Sequence, residues 1–170
     1  VLSPIYAGIA IAIKIDDPGP VFFTQKRVGQ NKEFFKIHKF RSMKMSTPHD
    51  VPTHMLGDPD QYITRVGKFL RKTSLDELPQ IINILKGDMS IIGPRPVVDD
   101  EIEKYGKDKA KFLSVKPGLT GYWAANGRSA TTYEDRINME LYYVDHCSLL
   151  LDIQIFFKTI LSVLKKEGAK

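Results

Sequence analysis

The sequence predicts an α+β fold: a mostly helical single domain with a small β-hairpin. Its 170 residues suit one domain that is large enough to bury a core. Residues 21–28 and 34–40 are rich in aromatic and β-branched residues, as strands are, and residues 29–32 between them suit a hairpin turn. Elsewhere, apolar residues recur at helical spacing in several segments.

Residues 1–13 are almost wholly apolar and contain Ser3-Pro4. At roughly 1.5 Å per residue, a helix of this length is far shorter than the ~30 Å core of a bilayer. Proline would break or kink a helix at this point. The segment is therefore either a buried core helix or half of a helix that dips into a bilayer and returns. Because the chain begins at Val1, inside an apolar stretch, we interpret it as a fragment of a longer protein.

The predicted hairpin is cationic. A basic, aromatic hairpin can rest against lipid head groups, or it can be an ordinary solvated hairpin. Farther along, Thr64 is a predicted N-cap for a short helix, whose apolar side would carry Val66, Phe69 and Leu70. The opposite side of this helix would be basic. Its residues are Arg65, Lys68, Arg71 and Lys72.

Asp76 and Glu77 are adjacent carboxylates at the predicted first turn of the next helix. Exposed backbone N–H groups and the positive end of the helix dipole would keep such a carboxylate ionised, as a nucleophile or metal ligand requires. Pro79 is tolerated only near a helix start, and Gly87 supplies a stop. The apolar residues at helical spacing are Leu78, Ile81, Ile82 and Leu85.

A capping box is the alternative interpretation of the same residues. Ser74 and Glu77 would then satisfy free N–H groups at the helix start and would carry out no chemistry. The basic helix just upstream favours the functional interpretation. An acidic pair that follows a cationic face suggests the handling of phosphate groups with a divalent metal.

The second half of the chain is predicted to be mainly helical. Residues 97–112, 132–146 and 149–166 are expected to form helices, with a glycine-punctuated loop over residues 115–123 and a turn over residues 126–129. The last helix has only a thin polar stripe. Its broad apolar surface must therefore be buried in protein or rest in a membrane interface.

Arg95 lies between Pro94 and Pro96, which restrict the backbone on both sides of it. An arginine on such a rigid segment is well placed for a bidentate phosphate contact, although a surface arginine in a turn is the simpler interpretation. The net charge of +5 also predicts an anionic partner: nucleic acid, anionic lipid or a phosphorylated substrate. With one cysteine, the chain has no internal disulfide and no thiolate metal cluster.

Several blocks occur in a fixed order along nearly the whole chain. They are Ser3-Pro4, Pro18-Gly19-Pro20-Val21-Phe22, Lys39-Phe40-Arg41-Ser42-Met43, Asp76-Glu77, Gly93-Pro94-Arg95-Pro96, Lys116-Pro117-Gly118-Leu119-Thr120-Gly121 and Leu141-Tyr142-Tyr143-Val144-Asp145. This ordered set resembles the bacterial sugar transferases, or monotopic phosphoglycosyl transferases. The chain departs from many relatives at Trp123-Ala124, where they have Trp-Gln, and at Cys147, where an aromatic residue is common.

The resemblance implies an enzyme on the cytoplasmic face of the bacterial inner membrane. It would transfer a sugar-1-phosphate from a UDP-sugar to undecaprenyl phosphate and release UMP, which initiates exopolysaccharide, capsule or O-antigen assembly. Mg²⁺ would be the cofactor and the phospholipid bilayer a partner, with a homodimer as a further possibility. Residues 1–15 would be the second half of a re-entrant membrane helix. Residues 16–170 would form the catalytic domain, with amphipathic interfacial helices.

The same resemblance implies roles for individual residues. Asp76 would be the nucleophile that forms an aspartyl-phosphosugar, and Glu77 its partner, with both carboxylates contacting Mg²⁺. Arg71 and Arg95 would contact the donor phosphates. Further candidates for phosphate or substrate binding are Lys39, Arg41 and Arg128. Residues 126–133 look more like those of glucose- or galactose-1-phosphate transferases than those of transferases for N-acetylated sugars.

A non-catalytic module that binds a membrane surface or nucleic acid is the rival hypothesis. Its support is the basic charge, the cationic hairpin and the apolar ends of the chain. Against it, the sequence contains no recognised nucleic-acid-binding motif, so no nucleic acid is expected as a partner. A binding module would also have no need of the Asp76-Glu77 pair.

Overall fold

A computed structural model describes residues 3–48, 58–127 and 131–164 and shows a mixed helix-and-strand fold, which confirms the predicted α+β class. The α-helices are α1 (Ser3–Asp16), α2 (Arg65–Thr73), α3 (Ile81–Lys86), α4 (Asp99–Ile102), α5 (Lys109–Phe112), α6 (Tyr122–Asn126), α7 (Tyr133–His146) and α8 (Leu149–Leu164). The strands are β1 (Phe22–Val28), β2 (Phe34–Phe40), β3 (Ser90–Ile92) and β4 (Gly118–Thr120). Short 3₁₀ helices cover Gln30–Lys32, Pro59–Tyr62, Leu75–Gln80 and Glu103–Asp108.

The chain forms two compact units. The first unit combines Val1–Gln25 with His38–Pro79, and the second combines Lys26–Ile37 with Gln80–Lys170. The predicted hairpin is present as the two-stranded sheet of β1 and β2. Its turn places Asn31 and Lys32 at positive φ.

The first unit is built on the packing of α1 against α2. Ile9, Ile13, Phe40 and Leu70 form its buried apolar cluster. The ring of Tyr6 meets that of Phe40 edge-on, with centroids 5.0 Å apart. Burial of these side chains removes apolar surface from water, which is the main stabilising contribution to this unit.

Two carboxylates fix the end of α1. Asp16 Oδ2 accepts a hydrogen bond from the backbone amide of Val66 at 2.7 Å, so it lies at the positive end of α2. Asp17 forms an ion pair with Arg41 and accepts from the amide of Met45 at 2.9 Å. The apolar helix, the segment that follows β2 and helix α2 are thereby tied together within the first unit.

Helix α1 begins at Ser3 and carries Pro4 in its first turn, where proline is tolerated. Ile5, Ile11 and Ile15 stay exposed along it. In the described residues, every helix is too short or too polar to cross a bilayer. The re-entrant arrangement of residues 1–15 stays a prediction.

The second unit has two apolar clusters. The first centres on Val28, Val97, Ile102 and Tyr105, with Phe112 and Leu113 beside them. The second centres on Ile92, Ala125, Tyr143 and Ile155. Helix α7 lies where a helix over residues 132–146 was predicted, and Thr132 is its N-cap, since the Thr132 hydroxyl accepts a hydrogen bond from the amide of Asp135 at 3.1 Å. Helix α8 matches the predicted last helix, and most of its apolar side chains are exposed.

Two predictions for the second unit were wrong. Residues 115–123 are not simply a loop, because Gly118–Thr120 forms β4, parallel to β3, and Tyr122 begins α6. Residues 97–112 are not one helix, because Gly106 at φ 50 and ψ −125 interrupts them. Both errors arise from contacts between distant residues and from glycine geometry, which local periodicity does not report.

Helix α3 also buries the opposite side from the one expected. Ile81, Ile82 and Leu85 are exposed, whereas Asn83 is fully buried. The Asn83 side-chain amide donates to the Lys36 carbonyl at 2.8 Å and to Asp88 at 3.1 Å. The buried amide is satisfied by these bonds, which removes the cost of its burial.

Replacement of Gly67 by alanine tests the close packing of the first unit. A Cβ on Gly67, near the start of α2, would lie 1.9 Å from the Ser42 carbonyl oxygen. We expect Gly67→Ala to lower the free energy of unfolding by roughly 1–3 kcal/mol in urea titrations. Gly8→Ala is the matched control, because nothing lies within 4 Å of its Cβ position in α1. Gly8→Ala should increase the free energy of unfolding by about 0.5–1 kcal/mol. Equal effects of the two substitutions would contradict the packing described.

Candidate active site

The segment that carries the two carboxylates is a 3₁₀ turn rather than the start of a long helix. Leu75–Gln80 is a 3₁₀ helix that contains Pro79, and α3 follows it in sequence. Ser74 has φ 57 and ψ 17 and closes α2 as its C-cap. An N-cap residue needs extended backbone, so Ser74 is not the N-cap of a capping box. The amide of Glu77 donates instead to the Ser74 carbonyl at 3.2 Å.

Asp76 is buried, with 8% of its surface exposed. Burial raises the pKa of its carboxyl group to about 6, and the neighbouring charge of Glu77 also raises it. Lys39 and, to a smaller extent, Arg71 and the Asp76 backbone amide lower the same pKa. Desolvation thus opposes the predicted anionic state of Asp76, which stays a prediction.

Glu77 and Lys39 form an ion pair at the side of Asp76. Lys39 Nζ donates to Glu77 Oε1 at 2.8 Å, and both side chains are largely buried. Lys39 lies near the end of β2, which places its ammonium group beside two carboxylates. One cation thus compensates part of the charge of an adjacent acidic pair.

Arg71 lies in the last turn of α2, the end at which a cation is favoured by the helix dipole. Its Nε donates to Ser42 Oγ at 3.1 Å, and Ser42 is buried. Sequence reasoning did not single out Ser42 as a positioning group. The only signal was its place in the Lys39–Met43 block.

Arg41 has a different environment from the one predicted for a substrate-binding residue. Its guanidinium pairs with the Asp17 carboxylate and donates to the carbonyls of Asp17 and Pro20. Only 7% of its side chain is exposed. The geometry gives Arg41 a structural role in the first unit, whereas a phosphate contact by Arg41 stays a prediction.

Arg95 belongs to the second unit and is exposed between two buried prolines. Its guanidinium carbon lies 5.9 Å from the centre of the Trp123 ring. The structure therefore brings together Asp76, Glu77, Lys39 and Arg71 in one unit, whereas Arg95 lies on the other. Arg128 is outside the described residues. Phosphate binding by any of these side chains stays a prediction.

The acidic pair fits one mode of magnesium binding. The described residues contain no group of three His, Cys, Asp or Glu side chains that would form an all-protein metal site. Mg²⁺ commonly binds through one or two carboxylates together with substrate phosphates. Two adjacent carboxylates, one of them destabilised by burial of its charge, suit that mode.

Comparison with known proteins yields one family. A family model described as bacterial sugar transferase matches residues 1–166. An undecaprenyl-phosphate galactose phosphotransferase of Salmonella typhimurium is 43% identical over 167 residues, which cover 90% of this chain and 35% of that protein. The exopolysaccharide production protein ExoY of Sinorhizobium fredii is 39% identical over 182 residues, which cover 99% of this chain and 80% of that protein.

A third relative acts, by its name, on a different sugar. It is the UDP-N-acetylgalactosamine-undecaprenyl-phosphate N-acetylgalactosaminephosphotransferase of Aeromonas hydrophila, which is 42% identical over 176 residues. This chain covers 41% of that relative's length. The chain thus spans well under half of the Salmonella and Aeromonas proteins, but most of ExoY.

The raised pKa of Asp76 predicts an unusual dependence of stability on pH. The pKa rises from 3.8 to about 6 on folding, so the folded state holds this proton more tightly than the unfolded chain. This stabilisation is present below about pH 4 and is lost as the pH rises through about 6. Asp76→Asn should therefore increase the free energy of unfolding by about 3 kcal/mol at pH 8 and change it little at pH 4.

Urea titrations at the two pH values measure this difference. Asp60→Asn is the control, because Asp60 is an exposed aspartate of the same unit. Its substitution shows the effect of replacing an exposed aspartate of the unit by asparagine. Destabilisation by Asp76→Asn at pH 8 would show that the carboxylate contributes net favourable contacts and that its burial is not the dominant effect.

Proposed function

Because this chain belongs to the bacterial sugar transferase family, we propose that it transfers a sugar-1-phosphate from a UDP-sugar to undecaprenyl phosphate and releases UMP. Relatives named as undecaprenyl-phosphate sugar phosphotransferases support transfer of a sugar phosphate to a lipid carrier. The observation that carries the proposal is the buried Asp76 carboxylate with Glu77, Lys39 and Arg71 around it in one unit.

In the first half of the proposed reaction, an Asp76 oxygen attacks the phosphorus that bears the sugar. A new carboxylate O–P bond forms, and the bond from that phosphorus to the bridging oxygen breaks. UMP leaves with the bridging oxygen and the electron pair. The result is an aspartyl-phosphosugar, which divides one difficult transfer into two easier steps.

In the second half, an oxygen of undecaprenyl phosphate attacks the same phosphorus. The bond between Asp76 and phosphorus breaks, so the free carboxylate is restored and the lipid-linked sugar diphosphate is formed. Glu77 would accept the proton of the acceptor phosphate where that group is still protonated. Its ion pair with Lys39 holds the Glu77 carboxylate next to the nucleophile.

Burial of Asp76 supports the nucleophilic role. A carboxylate removed from water loses part of its hydration shell and has less solvent to displace before attack. Lys39 and Arg71 supply positive charge beside it and reduce the repulsion between an anionic nucleophile and an anionic diphosphate. Arg95 and Arg128 stay candidate phosphate contacts in this proposal, whereas Arg41 is left out because Asp17 and Pro20 engage its guanidinium.

Asp76 and Glu77 would hold Mg²⁺ together with phosphate oxygens of the donor. When bound, the ion would neutralise charge on the diphosphate and on the departing UMP. Its positive charge would also lower the pKa of Asp76, counteracting the effect of burial.

Exposed apolar surface supports a place at the membrane. Three helices expose apolar side chains: Ile5, Ile11 and Ile15 on α1, Ile81, Ile82 and Leu85 on α3, and Leu149, Leu150, Phe157 and Leu161 on α8. We propose that these surfaces contact the cytoplasmic leaflet of the inner membrane in a monotopic arrangement. A polyprenyl tail could then stay in lipid while its phosphate reacts. Association into a homodimer stays part of the proposal.

For the sugar, we propose glucose or galactose, on the likeness of residues 126–133 to hexose-1-phosphate transferases. The named relatives include both a galactose and an N-acetylgalactosamine enzyme, so family membership alone does not choose between them. A panel of UDP-sugars, assayed for UMP release, identifies the donor. The rival of a non-catalytic basic module gains no support from these relatives.

Substitution of Asp76 tests the proposed function directly. Asp76→Asn should reduce UMP release by at least about 10⁴-fold, since an amide is a very poor nucleophile for this attack. Wild-type protein given a UDP-sugar without acceptor should gain the mass of one hexose phosphate, and the variant should gain none. Intact-protein mass spectrometry and a UMP assay measure the two outcomes.

Asp60→Asn again serves as the control and should retain normal turnover. Full turnover by Asp76→Asn would refute the nucleophile. An active wild-type protein without a trappable adduct would favour direct transfer from donor to acceptor within one ternary complex.

A further inference from the structure

The segment that carries Arg95 is fixed along its whole length. All four residues of the Gly93–Pro96 segment use a backbone polar group in a hydrogen bond within the second unit. The bonds are Gly93 N to the Thr120 carbonyl at 2.9 Å, Gly118 N to the Pro94 carbonyl at 2.8 Å, Arg95 N to Glu140 Oε1 at 3.2 Å, and Arg27 Nη1 to the Pro96 carbonyl at 3.3 Å. Pro94 and Pro96 are buried, so the exposed part of the segment is Arg95.

The acceptor for the Arg95 amide is a buried carboxylate. Glu140, on α7, is 2% exposed. Its Oε1 accepts from the Arg95 amide and from Arg136 Nε, each at 3.2 Å, and its Oε2 accepts from the Tyr105 hydroxyl. Three donors thus satisfy a charge that would be very costly to bury without them. Burial of Tyr105, and next the charge of Glu140, raises the pKa of that phenol, which keeps it protonated as a donor.

Trp123 lies against the guanidinium groups of both arginines. The guanidinium carbon of Arg136 is 5.0 Å from the centre of the indole ring, and that of Arg95 is 5.9 Å from it. Arg136 also lies 3.9 Å from a carboxylate oxygen of Glu101. Among the described residues, Arg95 has no carboxylate within ion-pair distance. Its charge is therefore held at the surface and left for another anion.

We propose that Glu140 is a positioning residue that fixes the Arg95 backbone, so that the guanidinium is preformed for a phosphate group of the donor. This inference rests on the proposed function, because it assigns the ligand of Arg95 to the donor diphosphate. Glu140 itself would not touch the substrate. Its effect passes through one backbone hydrogen bond and through the packing of Arg136 and Arg95 on Trp123.

Glu140 also pairs with Arg136, so neutralising that charge is the competing explanation of its burial. Glutamine separates the two roles. In Glu140→Gln, the amide oxygen can still accept from Arg95 and Arg136, and the amide nitrogen can donate to the Tyr105 oxygen. The positioning contact is kept while the charge is lost. In Glu140→Ala, both are lost.

The test with activity is a double-mutant cycle between positions 95 and 140. We expect Arg95→Ala and Glu140→Ala each to raise KM for the UDP-sugar roughly tenfold, the range for loss of one charge-assisted hydrogen bond. The double variant should be no worse than Arg95→Ala, since the second substitution has nothing left to position. Glu140→Gln should stay within about twofold of wild type.

Glu101→Gln is the matched control. Glu101 is also a buried carboxylate near Arg136, but it contacts the Val98 amide rather than that of Arg95, and a glutamine oxygen in its place can still contact Arg27, which lies 3.7 Å away. It should leave KM within about twofold of wild type. If Glu140→Ala fails to fold, Glu140→Leu combined with Arg136→Met replaces the buried ion pair by apolar side chains, which proteins often tolerate. That variant should show the same rise in KM.

Trp123 supplies a readout that needs no turnover, because it is the only tryptophan of the chain. Inorganic pyrophosphate should change its emission on binding near Arg95, with an affinity about tenfold weaker in Glu140→Ala and near normal in Glu140→Gln. If wild-type protein released no UMP, the proposed function would fail and this titration would still decide the inference. Three results would overturn the inference. They are additive effects of the two substitutions on KM, equal losses in Glu140→Ala and Glu140→Gln, or a Trp123 emission that does not change with pyrophosphate.

Discussion

Desolvation of the Asp76 carboxylate is the constraint on which the site depends. Burial favours its neutral form, while Lys39 and Arg71 favour the anion, and the balance leaves the pKa at about 6. A fully solvated aspartate would be ionised but well hydrated, and an uncompensated buried one would be protonated at neutral pH. Partial compensation of a buried charge gives a poorly hydrated carboxylate, which is the property that the proposed nucleophilic role of Asp76 needs.

Several parts of the first unit maintain that balance. Strand β2 carries Lys39 to the acidic pair, and the last turn of α2 carries Arg71. The left-handed Ser74 ends α2 two residues before Asp76 and is followed directly by the 3₁₀ segment. Farther away, Asp16 holds the start of α2, and Asp17 holds Arg41. A buried charge is stabilised only while its partners stay in place. The contacts of Asp16 and Asp17 restrict the movement of the elements that carry Lys39 and Arg71.

Local signals in the sequence predicted much of the fold. The hairpin, the Thr64 cap and the Gly87 stop depend on nearest neighbours, and all are present. The pairing of β3 with β4 depends on residues about thirty apart, so periodicity did not report it. The acidic pair was recognised from its sequence context, but its burial was not. Arg41 and Glu140 show the same limit of sequence analysis. Whether such a side chain has a structural or a substrate-binding role depends on its contacts in the fold, which the local sequence does not reveal.

The most direct test of the central claim is the titration of Asp76 itself. Protein labelled with ¹³C at aspartate carboxyl carbons can be followed by NMR, with Asp76→Asn to assign the resonance. The account predicts one aspartate that titrates near pH 6, and loss of that titration when a UDP-sugar is added without acceptor. An Asp76 resonance that titrates near pH 4 and is indifferent to the donor would contradict it.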